Sequence, residues 1–321
     1  MTVLWVYHSN EGFCMDLSKG HEESDRDSTI LGLLSILFWS TVVAFSRVLS
    51  EQLGILTSAC YLYYIGSLLG CIYLIAKKKS ARSLLDFPKK YLFGCGALFV
   101  IYSVCIYLAI GLASGRQQVL EIGIINYLWP SLTLVLSIPI LNKHAKPFLY
   151  PGIILALSGV FIATTQNSSL SWNVFRENLG LNYIPYILAF IASISWGLYN
   201  NLSRKWGETS ETSAVPLFLL GTALVLTIIR FSQNEVTHWT FRGIMELTYM
   251  AIFPTFLGYV FWDIAMRKGR LILLNSLSYL IPLISTLISC LYLKVGIGLP
   301  LLVACVLVIA GAVVCKYSIV E

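Results

Sequence analysis

A chain of 321 residues with a mean hydropathy of +0.77 and only 12% charged residues is not an ordinary soluble domain, where roughly 25% charged is typical. The net charge of +6 sits on this apolar background, so it reads as a membrane-topology signal rather than a nucleic-acid surface. The hydrophobicity falls into runs of about 20 residues, the length a helix needs to cross about 30 Å of hydrocarbon.

Residues 1–28 form a polar, acidic head with Glu22, Glu23, Asp25 and Asp27. Its apolar stretch, Val3 to Tyr7, is too short for a signal-peptide core, so a mobile cytoplasmic tail is expected. Ten spans follow, at about 30–49, 55–76, 91–113, 119–141, 147–165, 183–204, 213–231, 243–267, 271–293 and 298–315. The first carries Trp39 near its centre and Arg47 at its end. Gly66 and Gly70 in the second permit close helix packing, within the chain or as a homodimer face. After it comes a basic loop with Lys77, Lys78, Lys79, Arg82, Lys89 and Lys90. Tyr102 marks the middle of the third span; the fourth holds Glu121, then Asn126, Tyr127, Trp129, Pro130 and Ser131. Residues 166–182 are expected to be a loop. Trp196 and Asn200 lie within the sixth span and Arg204 at its end. Glu246 and Asp263 lie in the eighth, and Ser278, Tyr279 and Pro282 in the ninth.

Sixteen of the 22 Lys and Arg residues fall on the side of the head, the basic loop and the tail. The positive-inside rule therefore places both termini in the cytoplasm of a multi-pass cell-membrane protein.

The second half repeats the first. Trp39, Ser46, Arg47 and Glu51 fall on Trp196, Ser203, Arg204 and Glu208 at an offset of 157. Tyr127, Leu128 and Pro130 fall on Tyr279, Leu280 and Pro282, and Gly159 on Gly311, at 152. Five spans is an odd number, so the second unit must enter the membrane upside down. The expected fold is all-α and polytopic: ten transmembrane helices as two inverted five-helix repeats, 29–165 and 183–321, around a central cavity. Inverted repeats of this kind belong to alternating-access carriers, with a midplane site at the repeat interface.

Pro130 and Pro282 each remove a backbone donor and would free the carbonyls of Asn126 and Ser278. Trp39, Tyr102, Tyr127, Trp129, Trp196 and Tyr279 lie close to their span centres. A phenol or indole at that depth needs a polar partner that lipid cannot give, so these rings are expected to face the bundle interior. The acids Glu121 and Asp263 and the helix-end bases Arg47 and Arg204 lie away from the midplane, as gating or coupling candidates. No charge sits at the centre, and transport is expected to need no proton or sodium gradient. Seven of the eight cysteines lie inside spans without metal or disulfide spacing. Neither a catalytic motif nor a cofactor motif is present, so no enzyme, cofactor or metal is expected.

The run Ile124-Ile125-Asn126-Tyr127-Leu128-Trp129-Pro130-Ser131-Leu132-Thr133 resembles the helix-4 motif of the aromatic amino-acid exporter (YddG-type) branch of the drug/metabolite transporter, EamA-like, superfamily. Leu37-Phe38-Trp39-Ser40-Thr41, Leu98-Phe99-Val100-x-Tyr102 and Gln118-x-x-Glu121-x-Gly123 are similar to its other motifs. Ser103 and Asp263 depart from the pattern. The resemblance implies export of Phe, Tyr, Trp and related metabolites, with Tyr102, Tyr127, Trp129 and Trp196 lining the cavity. From the residues alone, an antiporter for phosphorylated or nucleotide-like solutes and a non-transporting scaffold remain alternatives. The former needs deep basic groups.

Overall fold

The computed structural model describes residues 26–42, 45, 49, 52–76, 86–165, 172–207, 212–233, 235–293 and 299–320. It is a helical bundle. The helices are α1 (26–40), α2 (Ile55–Ala76), α3 (Lys90–Gly111), α4 (Arg116–Asn126), α5 (Trp129–Leu141), α6 (Leu149–Thr165) and α7 (Trp172–Leu181). There follow α8 (Ile184–Gly207), α9 (Val215–Phe231), α10 (Phe241–Lys268), α11 (Leu271–Leu277), α12 (Leu280–Leu293) and α13 (Leu299–Ser318).

Among the described residues, five stretches are long and apolar enough to cross a bilayer: α2, α3, Gln118–Leu141, α10 and α13. The bent pairs α7–α8 and α11–α12 raise this to seven, and α6 and α9 are shorter apolar helices. The chain is thus a multi-pass membrane protein, whose exposed leucines, isoleucines and phenylalanines suit lipid.

Helix ends follow local chemistry. Thr240 caps α10, its hydroxyl accepting from the Gly243 N–H at 3.0 Å. The start of α2 is capped from a distance, Glu235 accepting from the N–H groups of Leu56 and Thr57 at 2.9 and 2.8 Å. Asn142, in the left-handed region at φ 54°, stops α5.

Two features depart from the expected pattern. Residues 166–182 are not all loop, because Trp172–Leu181 winds into α7, bent 99° from α8. Its Phe175 ring rests on Tyr186 at 5.5 Å, which gives this short amphipathic helix an anchor. The fold is also not purely α: His144–Ala145 pairs antiparallel with Ile319–Val320, so backbone groups beyond α5 and α13 satisfy one another.

Helix α6 packs closely on α13 through small residues. A Cβ on Gly159 would lie 2.7 Å from Val308 Cγ2 and 2.8 Å from its nitrogen. One on Gly311 would lie 2.4 Å from the Ala156 nitrogen. Gly66 and Gly70 are likewise used inside the chain: a Cβ would meet Leu219 at 3.2 Å and Pro216 at 2.4 Å on α9. They are therefore not a free face for a second copy.

Candidate functional site

The centre of the bundle is a cluster of aromatic rings carried by α1, α3, α5, α8 and α10. Trp196 is its hub, 2% exposed, with ring centroids of Trp39, Phe99, Tyr102, Trp129, Tyr199 and Tyr259 within 6.5 Å. Tyr102 lies 4.5 Å away and Tyr199 stacks at 4.9 Å and 16°. Trp129 meets Trp196 edge-on at 6.5 Å and Trp262 edge-on at 5.6 Å, both at 89°. Such tilted and edge-to-face pairs each contribute about 0.5–1.5 kcal/mol beyond area burial. The rings pack on one another, with Trp129 and Trp196 buried and Trp39, Tyr102 and Tyr259 partly exposed.

A polar chain ties the rings together. The Trp262 indole donates to Asn200 Oδ1 at 2.9 Å, Asn200 Nδ2 donates to Thr133 Oγ1 at 3.1 Å, and that hydroxyl donates to the Trp129 carbonyl at 2.8 Å. Gly197 lets α8 approach α5 closely enough for this, its would-be Cβ lying 3.1 Å from that of Leu132. Asn201 donates to the Thr133 carbonyl at 2.9 Å. Trp39 donates to the Pro254 carbonyl at 3.1 Å, within a π-helical turn of α10 spanning Ala251–Leu257. The Trp39 and Trp262 indoles thus find the partners that a buried N–H needs.

Of the residues singled out from the sequence, the structure brings Tyr102, Trp129 and Trp196 into the cluster. Tyr127 is half-buried on its edge. Tyr279, 1% exposed, shares a 2.5 Å hydrogen bond with Ser131, tying α5 to the break between α11 and α12. The two prolines differ. Pro130 sits in the first turn of α5, after a break at Tyr127–Leu128. The Asn126 side chain lies beside the Tyr102 hydroxyl, and its buried Oδ1 has no hydrogen-bond partner in the structure. Pro282 lies past a 40° bend, but the Ser278 carbonyl is not freed as expected. The Ile281 N–H donates to it at 3.0 Å, one residue earlier than the lost α-helical donor. The Ser278 hydroxyl also turns back, onto the Leu274 carbonyl at 2.8 Å.

The gating candidates lie apart. Glu121, 4% exposed, accepts from the Tyr186 hydroxyl and from Asn178 of α7, joining α4 to α7 and α8. Arg204 caps α10 through the carbonyls of Arg267 at 2.7 Å and Gly269 at 3.0 Å. Arg47 lies outside the described residues. Asp263 forms a buried ion pair with Arg267 at 3.0 Å, both side chains 0% exposed. Tyr91, Tyr199 and Ser213 donate to the carboxylate at 2.6, 2.9 and 2.8 Å, and Arg267 donates to the carbonyls of Gly207 and Thr212. Arg267 is therefore a core residue.

Sequence reasoning passed over Tyr259, Trp262 and Arg267. The signal was present: Tyr259, Trp262, Asp263, Met266 and Arg267 follow the i, i+3, i+4, i+7, i+8 spacing of one helix face.

The EamA-like transporter family model matches residues 28–165 and 183–316. The chain is similar to the aromatic amino acid exporter YddG of Salmonella typhimurium, at 27% identity over 91% of this chain and 97% of that protein. The Escherichia coli protein of the same name is 28% identical over 90% and 97%. A solved crystal structure superposes with a TM-score of 0.76 at 24% identity, covering 90% of this chain and 97% of its own.

Proposed function

This chain belongs to the EamA-like transporter family, and from that premise we propose that it exports aromatic amino acids, or close amphipathic relatives, by alternating access. The observation that carries the reading is the buried ring cluster around Trp196 beside Asn126 Oδ1, an acceptor left without a partner. A substrate ring would take the place of one protein ring among Tyr102, Trp129 and Trp196, with Tyr127 at the edge. Its ammonium would meet Asn126. Relatives named as aromatic amino acid exporters, matched along nearly their whole length, favour the same substrate class. A carrier of phosphorylated solutes needs a cation turned to the centre, whereas Arg204 is committed to helix carbonyls and Arg267 to Asp263.

The architecture we infer is ten transmembrane helices in two inverted five-helix repeats, with residues 166–182 joining them. The α6–α13 seam supports it. Gly159 and Gly311 are 152 residues apart, as are Ala156 and Val308, and the contacts Gly159–Val308 and Gly311–Ala156 exchange under that offset. We place both termini in the cytoplasm. A single cysteine at Lys79 should then resist impermeant thiol reagents in intact cells while one at Asn173 reacts. The reverse labelling would overturn the orientation.

Transport of labelled phenylalanine, tyrosine and tryptophan by proteoliposomes tests the function. Trp129→Ala and Trp196→Ala should each raise KM by about 2- to 15-fold, the loss of one ring contact. Wild-type KM in both variants would make these rings packing residues.

A further inference from the structure

On the basis of the aromatic-carrier function, we propose that the ring site is built twice, Trp39 and Tyr259 forming a second clamp equivalent to Trp196 and Tyr102, each clamp serving one face of the membrane. Residues 39 and 196 are 157 apart, and so are 102 and 259. Exchange of these equivalents converts the Tyr102–Trp196 contact, at 4.5 Å, into Tyr259–Trp39, which is present at 5.5 Å. Trp39 and Trp196 exchange with each other, and they face one another at 6.0 Å, where an axis relating the two halves would pass.

Each clamp closes across the boundary between halves. Tyr102 of the first half holds Trp196 of the second, and Tyr259 of the second holds Trp39 of the first. Any movement of one half against the other therefore acts on both clamps at once. The second clamp has its own seat. The Trp39 indole is fixed to the Pro254 carbonyl at 3.1 Å, and Gly258 leaves room for it, since a Cβ there would lie 2.9 Å from the indole nitrogen.

The arrangement is also unequal, as one member of an exchanging pair of states must be. Tyr259 reaches Trp196 as well, at 5.7 Å, so Trp196 is held between both tyrosines. The mirror arrangement holds Trp39 between Tyr259 and Tyr102. For these four rings it makes the same kinds of contact, and a substrate that binds the two states with different affinity shifts the populations.

The test measures KM for labelled phenylalanine from each face of sealed vesicles of known orientation. Trp196→Ala and Trp39→Ala should move the ratio of the two KM values in opposite directions, by about 2- to 10-fold each. Tyr102→Leu and Tyr259→Leu, milder changes in packing, should repeat the split. Ratios that move together, or stay at the wild-type value while wild-type protein transports phenylalanine, overturn the double clamp and leave the exporter reading standing. No transport by wild-type protein overturns both.

Discussion

Arg267→Met should destabilise the folded protein by about 3–5 kcal/mol, the cost of leaving one partner of a buried ion pair uncompensated. The expectation follows from the 0% exposure of both Asp263 and Arg267 and from their web of partners. Without the guanidinium, the Asp263 carboxylate keeps Tyr91, Tyr199 and Ser213 as donors but loses its counter-charge. The Gly207 and Thr212 carbonyls lose their donor as well. Asp263→Leu combined with Arg267→Met removes both charges and should recover part of the loss, though the stranded hydroxyls and carbonyls keep it below wild type. Thermal unfolding of detergent-purified protein reads all three. An Arg267→Met variant as stable as wild type would mean that water reaches the pair.

The second large effect should come from the α6–α13 seam. Gly311→Leu puts a Cβ within 2.4 Å of the Ala156 nitrogen and 2.7 Å of its Cα, which are backbone atoms that cannot swing aside. The two helices would have to separate, and a destabilisation of about 3 kcal/mol or more is expected, at or beyond the upper end of ordinary overpacking. Gly123→Ala in α4 is the matched control, because a Cβ there meets nothing within 4 Å. It should be neutral or slightly stabilising, by up to about 1 kcal/mol, as alanine is the better helix former. The same unfolding assay separates the two. A Gly311→Leu protein that melts with wild type would show that α6 and α13 do not touch through this face.

Much of the site could be read from residue spacing, for a physical reason. An indole or phenol in mid-span cannot face lipid, so Tyr102, Trp129 and Trp196 had to converge, and they do. The same logic fails where the partner comes from elsewhere in the chain. Arg267 looks like an interfacial cation because its position near a span end suits snorkelling. It is core because Asp263 lies one turn before it and Gly207, Thr212 and Ser213 bind the pair. Ser278 looks like an exposed carbonyl because proline deletes its usual donor. The helix tightens locally and supplies Ile281 instead. Helix α7 escaped because ten residues of modest hydrophobicity resemble a loop until Tyr186 gives Phe175 a surface to rest on. Side-chain depth is written in span position; backbone rescue and long-range pairing are not.

Helix α9 has 17 residues, against 28 in α10. At 1.5 Å per residue it is about 26 Å long, short of a typical 30 Å hydrocarbon layer. The bilayer beside it thins or flanking side chains snorkel, and each ångström of mismatch costs a fraction of a kcal/mol. Any rocking of the two halves that tilts α9 changes that deformation. Acyl-chain length in the host membrane is thereby a thermodynamic variable of the transport cycle, acting on the same equilibrium as the substrate without touching the rings.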